Sequence, residues 1–262
     1  MKDKKDVIFM FPGTFNKGSE CFKVLAKSFE KHYDCRPFDY SEYFFKFNEK
    51  PIYPQYGFGM NDQLLQCGQE ICTCVTDELE EEQKIILLGH SKGALYAAWL
   101  AQWIWAAGYG HKIKAVIMIA PAAPGEINNF SFSGFWALKS VLISALWGSL
   151  VKRSFWGTCW GVLNGLNLSL EEKYLIWKNL YWEPRQVFLD LISPPKINLK
   201  KVNCPKLVVG GTKDRLVPPI ISKMTAHHYR ADHLEIDMPH YMLDSLILIS
   251  NIMGWLKIKK LL

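Results

Sequence analysis

Five residues, Gly89-His90-Ser91-Lys92-Gly93, constrain this chain more than any others. The apolar run at 84–88 ahead of them reads as a buried strand, and residues 94–105 behind them as an apolar helix. Passing from strand to helix in so few residues needs a sharp turn, and glycines on either side let neighbouring backbones approach where a Cβ would not fit. G-x-S-x-G between a strand and a helix is the pattern that exposes a serine hydroxyl on a strained turn. The five letters alone recur by chance in about one chain in ten of this length. The flanking strand and helix give them their weight.

The same strand-then-helix rhythm continues on both sides. Residues 7–11 read as a short strand closed by Pro12-Gly13, 19–31 as a helix, and 33–40 as a second strand. A loop rich in proline, glycine and aromatics spans 41–60, and a long helix capped by Asn61 covers 62–82. Residues 111–120 form a further strand ended by Pro121, followed later by strands at 206–211 and 232–238 and a closing helix at 241–257. Strands alternating with helices imply right-handed crossovers and an α/β fold, a doubly wound, mostly parallel sheet of about six strands.

Residues 122–202 break that rhythm with helical patterns and no strand pattern. They are expected to form a helical cap inserted into a core made of residues 1–121 and 203–262. Within the cap, 135–151 is almost wholly apolar apart from Lys139. It is short for a membrane span. A buried cap helix is the first reading, and a helix resting weakly on a membrane surface is the alternative.

Composition narrows the function classes. The 262 residues, 49% hydrophobic and 21% charged, suit one globular core with an insertion. A net charge of +6 without a Lys/Arg-rich run gives no footprint for nucleic acid. The cluster Lys257, Lys259 and Lys260 reads as a solvated helix end. The apolar stretch 7–11 is too short for a signal peptide, and seven cysteines without paired short spacing suggest reduced thiols, so a cytoplasmic location is expected. Cys72 and Cys74 lie in one helix where neither faces the other, and no glycine loop suited to phosphate appears. No metal and no cofactor are therefore expected.

A serine needs a base to take its proton and an acid to orient that base. Residues 206–211 run into a glycine turn that delivers Asp214 to a loop at a strand's carboxyl end, where sites form in such sheets. Asp232, Asp237 and Asp244 compete with it. The last strand ends just before His240, which competes with His227, His228 and His233. His90, inside the turn, reads as a packing or hydrogen-bonding residue.

The order Ser91, Asp214, His240, together with Gly-Thr-Lys-Asp-Arg-Leu-Val-Pro at 211–218, resembles the α/β-hydrolase superfamily over nearly the whole chain. The resemblance implies Ser91 as nucleophile, His240 as base and Asp214 as its orienting acid. It also implies an oxyanion hole from the backbone N–H of Lys92 and one N–H of the 12–15 loop, with Thr14 first and Phe15 in reserve. Many relatives carry His-Gly where this chain has Pro12-Gly13, and their leading strands are expected to have no counterpart here. Lys92 is an unusual neighbour for a nucleophile. Its side chain is expected to pair with a cap carboxylate, with an anionic substrate as the other reading. Phe15, Trp136 and Trp147 are the candidates for a substrate wall.

The expected activity is serine hydrolysis of a small-molecule ester or thioester with an apolar acyl or alcohol part. The alternatives are acyl transfer on the same triad and a non-catalytic protein that binds apolar ligands. Nothing in the sequence fixes the oligomeric state.

Overall fold

Val7, Phe9 and Phe11 belong to one hydrophobic core, and Ile8 and Met10 to another. Successive side chains of a strand point to opposite faces, so this first strand is buried on both sides. The computed structural model describes residues 4–40, 59–127, 132–147 and 150–262.

The strands are β1 (Asp6–Phe11), β2 (Tyr33–Pro37), β3 (Ile85–His90), β4 (Ile113–Ile119), β5 (Leu150–Val151), β6 (Glu183–Pro184), β7 (Lys206–Gly211) and β8 (Asp232–Ile236). Six of them form one sheet in the order β2-β1-β3-β4-β7-β8, and every neighbouring pair in it is parallel. All six residues of β3 and of β7 are buried. The other two strands pair as a short antiparallel ribbon.

The helices are α1 (Gly18–Cys21), α2 (Lys23–Phe29), α3 (Met60–Thr73), α4 (Lys92–Ile104), α5 (Phe132–Trp147), α6 (Phe155–Gly161), α7 (Leu170–Lys178), α8 (Arg185–Ile192), α9 (Pro219–Tyr229) and α10 (Leu246–Ile258). Leu25 and Phe29 of α2 share one core with Leu248, Ile252 and Leu256 of α10. Leu64 and Ile71 of α3, Leu95 and Ala98 of α4, and Tyr229 of α9 pack in the other. The sheet is thus covered on both faces, as a doubly wound α/β fold requires.

The strand order also locates a crevice. From β1 the chain steps outward to β2, then returns to β3 on the opposite side of β1. The loops leaving β1 and β3 therefore diverge, and the gap between them at the carboxyl edge is where doubly wound sheets hold their sites.

Several boundaries differ from the sequence reading. The helix expected over 19–31 is split into α1 and α2. The helix expected over 62–82 is α3, which continues as a wider turn over Cys74–Glu78. The closing helix begins at Leu246, where the Ser245 hydroxyl accepts the Leu248 N–H, and Tyr241 instead donates to Asp244. Residues 122–202 carry α5–α8 as expected, plus the ribbon β5–β6, whose two-residue strands are too short to show any alternation. The loop expected at 41–60 lies outside the described residues up to 58. No helix among the described residues is long and apolar enough to cross a membrane.

Candidate active site

Ser91 sits between β3 and α4 at φ 54° and ψ −119°, a left-handed conformation that a serine does not adopt without support. Support comes from the sheet. The Ser91 N–H donates to the Ile119 carbonyl at 2.9 Å, and the Ser91 carbonyl accepts from Ala94 and Ala122 at 3.1 Å each. Both flanking glycines are obligatory. A Cβ on Gly89 would overlap the Gly93 carbonyl, and one on Gly93 would overlap the Phe11 carbonyl of β1.

Asp214 and His240 arrive from the next two strands. The loop after β7 passes close beneath the loop after β8, because Gly211 has no Cβ to meet the Met238 carbonyl. Lys213 donates its N–H to that same carbonyl at 3.1 Å. Asp214 is buried. Its Oδ1 accepts the N–H groups of Leu216 and Val217 at 2.8 Å each, and its Oδ2 accepts Nδ1–H of His240 at 2.7 Å. These bonds fix the carboxylate and leave Nε2 of His240 as the free ring nitrogen. The described hydrogen bonds join His240 to Asp214 and not to Ser91, but Ser91 and His240 border the same cavity.

The competing residues lie elsewhere. Asp237 is exposed and pairs with Thr212 and Lys213, Asp232 with Trp255 and Lys259, and Asp244 with Tyr241. His227 and His228 close α9, and His233 lies within β8. His90 donates from Nε2 to the His240 carbonyl at 3.1 Å, with the two rings 4.9 Å apart. Burial, reinforced by the neighbouring His240, pushes its pKa down to about 3, so it is a neutral hydrogen-bonding residue.

The loop after β1 forms the facing wall. No described hydrogen bond occupies the backbone N–H of Thr14 or of Lys92. The Phe15 N–H, by contrast, donates to Glu183 Oε2 at 2.9 Å, with Phe15 itself at φ 66°. That bond leaves Thr14, and not the reserve choice Phe15, with the uncommitted amide. Glu183 was not visible in the sequence, since nothing marks β6. Its Oε1 meets Lys92 Nζ at 2.7 Å, and Lys92 Nζ also donates to Gln63 Oε1 at 2.9 Å. Tyr96 donates to the same Gln63 oxygen, and Lys92 Nζ lies 4.5 Å from the Tyr40 ring centre. Lys92 is thus paired with a carboxylate from the 122–202 segment, as the first sequence reading expected.

The cavity between these walls has a volume of about 30 Å³. Phe15, Val162, Ile176 and Leu180 give it an apolar side, while Asn16, Arg153, Thr158 and Tyr241 give it polar groups. Phe15 is therefore where a substrate wall was expected. Trp136 is not: it is 42% exposed, lies under Lys139 and does not border this cavity, because α5 turns Val141 and Ala145 inward instead. Trp147 ends α5, and its side chain lies outside the described residues. Arg153 was missed, since its only sequence signal is a lone Lys-Arg pair after an apolar run.

The parallel six-stranded sheet and the turn at Ser91 define an α/β hydrolase. The chain belongs to the alpha/beta hydrolase family, whose profile matches residues 32–245. Among solved structures it resembles an extracellular alpha/beta-hydrolase from a Paenibacillus species, with a TM-score of 0.68, 15% identity, and coverage of 96% of this chain and 98% of that one. It resembles a methylesterase from Arabidopsis with a TM-score of 0.65, 17% identity, and coverage of 97% and 99%. For the tomato methylketone synthase I complexed with 2-tridecanone the TM-score is 0.66, with 15% identity and coverage of 97% and 98%. At such identities these likenesses concern the fold. No curated protein matches the chain's sequence significantly.

Proposed function

We propose that this protein is a serine hydrolase that cleaves a small ester or thioester with an apolar acyl or alcohol part. Family membership supports a hydrolase, but a fold hosts many activities, so the finer reading rests on the site. The observation that carries it is the buried Asp214–His240 hydrogen bond at 2.7 Å, made on the same cavity that the strained Ser91 borders.

In this reading Ser91 Oγ attacks the carbonyl carbon while Nε2 of His240 takes the hydroxyl proton. Asp214 holds the imidazole by its Nδ1–H and stabilises the imidazolium that forms. The carbonyl oxygen becomes an oxyanion facing the amides of Lys92 and Thr14, each such donor contributing about 3–4 kcal/mol. His240 then protonates the leaving oxygen or sulfur, and the acyl group stays on Ser91. Water loses a proton to His240 as it attacks the acyl carbonyl, which releases the acid and restores the serine. Phe15, Val162, Ile176 and Leu180 support an apolar portion on the substrate.

A fluorophosphonate probe phosphonylates an activated serine hydroxyl. We expect it to label the folded protein at Ser91 and to leave Ser91→Ala unlabelled. Absence of labelling in the folded wild type, or equal labelling of Ser91→Ala, overturns the reading.

A further inference from the structure

Arg153 is only 4% exposed, yet it borders the cavity shared by Ser91 and His240. No carboxylate among the described residues pairs with its guanidinium, and its Nε has no hydrogen-bond partner. Asp214 is the acid whose charge it feels, but both Asp214 oxygens are already committed to His240, Leu216 and Val217. Burial pushes the arginine's pKa down to about 10, which leaves it protonated at neutral pH. A buried charge without an anionic partner is costly, so the fold carries a cost here that an incoming anion would offset.

The group is also held in place. Its backbone carbonyl accepts the Trp177 indole N–H at 2.7 Å. The next residue, Ser154, donates its N–H to Ser140 Oγ at 3.0 Å and caps α6 by accepting from Gly157. The guanidinium carbon lies over the Phe15 ring, 5.1 Å from its centre, and the Nε donor stays without a hydrogen-bond partner. A planar fork of N–H donors matches the two oxygens of a carboxylate.

From this geometry we infer that Arg153 is an anion-binding residue, and that the substrate is an ester or thioester carrying a free carboxylate elsewhere in its skeleton. The inference rests on the hydrolase reading for the word "ester" but not for the anion site itself. The apolar wall receives the carbon skeleton, Arg153 receives the carboxylate, and the distance between them orients the scissile carbonyl toward Ser91.

Two p-nitrophenyl esters of equal length test it, the valerate (neutral) and the monoester of glutarate (anionic). We expect wild-type kcat/KM to favour the anionic ester by at least about tenfold, because hydrogen bonds between charged groups are stronger than neutral ones. In Arg153→Met that ratio falls by at least about the same factor, and Arg153→Lys restores part of it. A merely structural arginine lowers both rates together and leaves the ratio where it was, which overturns the inference, as does a wild type that favours the neutral ester. Should Arg153→Met not fold, calorimetry on the wild type decides: glutarate binds and the uncharged glutaramide does not. Equal binding of both, or of neither, overturns it. Fluorophosphonate labelling runs alongside, so an unlabelled protein that binds glutarate fails the hydrolase reading alone, and a labelled one without anion preference fails this inference alone.

Discussion

Lys92 acts through two different parts of itself. Its amide lies at the first turn of α4, beside Ser91, while its ammonium reaches away to Glu183, 91 residues later in the chain. Burial lowers the pKa of the ammonium, and the Glu183 carboxylate opposes that shift. Taking one partner from such a pair leaves a buried charge alone and costs about 3–5 kcal/mol. Lys92→Met should therefore lower urea-measured stability by about that amount. Combining it with Glu183→Gln, which keeps an oxygen for the Phe15 N–H, should recover a large part of the loss. Losses that simply add would show that the two groups are not energetically paired. The sequence places a cap carboxylate ahead of an anionic substrate as the partner of Lys92 but does not say which carboxylate. Sequence distance hides such a partner, and the two-residue strand that delivers it leaves no periodic pattern. The Asp214–His240 hydrogen bond was legible for the opposite reason, since each residue follows a strand whose apolar run and closing turn can be read locally.

Elements were legible in proportion to how much of their pattern was set by burial. The strand at 206–211 matches β7 residue for residue, because both faces are covered and the apolar run 207–209 closes on two glycines. Helix starts were less clear. His240 and Tyr241 looked like the opening of the last helix, but Ser245 supplies the cap and the loop before it is held for His240. Helix α7 illustrates an element that stands mainly on its own ends. None of its residues is fully buried, and a capping box joins Ser169 and Glu172: the Ser169 N–H donates to Glu172 Oε2, and the Glu172 N–H donates to Ser169 Oγ. Ile176 of α7 borders the cavity, and Trp177 holds the Arg153 carbonyl. Ser169→Ala should cost about 1 kcal/mol. Hydrogen exchange should show the loss as faster exchange over Leu170–Lys178 with the amides of β3 and β4 unchanged. Equal acceleration in the core strands would mean that α7 and the sheet open together.

At the scale of the whole molecule, the carboxyl edge of the parallel sheet gathers five of the buried polar groups. His90, Ser91, Asp214 and His240 lie at or just after the carboxyl ends of strands, and Arg153 of the 122–202 segment borders the same cavity as His90, Ser91 and His240. Folding stability should carry a pH signature of that arrangement through His90. Its native pKa is depressed to about 3, whereas an exposed histidine titrates at about 6.5. Unfolding therefore takes up a proton at any pH between those values, so the contribution is fully present above about 6.5 and is lost as the pH falls toward 3. One proton of difference gives a slope of at most about 1.4 kcal/mol per pH unit. The titratable group facing His90 is His240, whose carbonyl it holds and whose proximity disfavours a positive charge on His90, while Arg153 lines the same cavity. His90→Gln keeps an amide donor for the His240 carbonyl and removes the titration. Urea unfolding of the two proteins from pH 7 down to pH 4.5, run in the same buffers, isolates the term from the carboxylates that both share. The wild type should lose stability more steeply than His90→Gln by about 1 kcal/mol per pH unit below 6.5. Parallel pH profiles would mean that His90 becomes protonated without opening the fold, and that the neutral histidine is not what ties this edge of the sheet together.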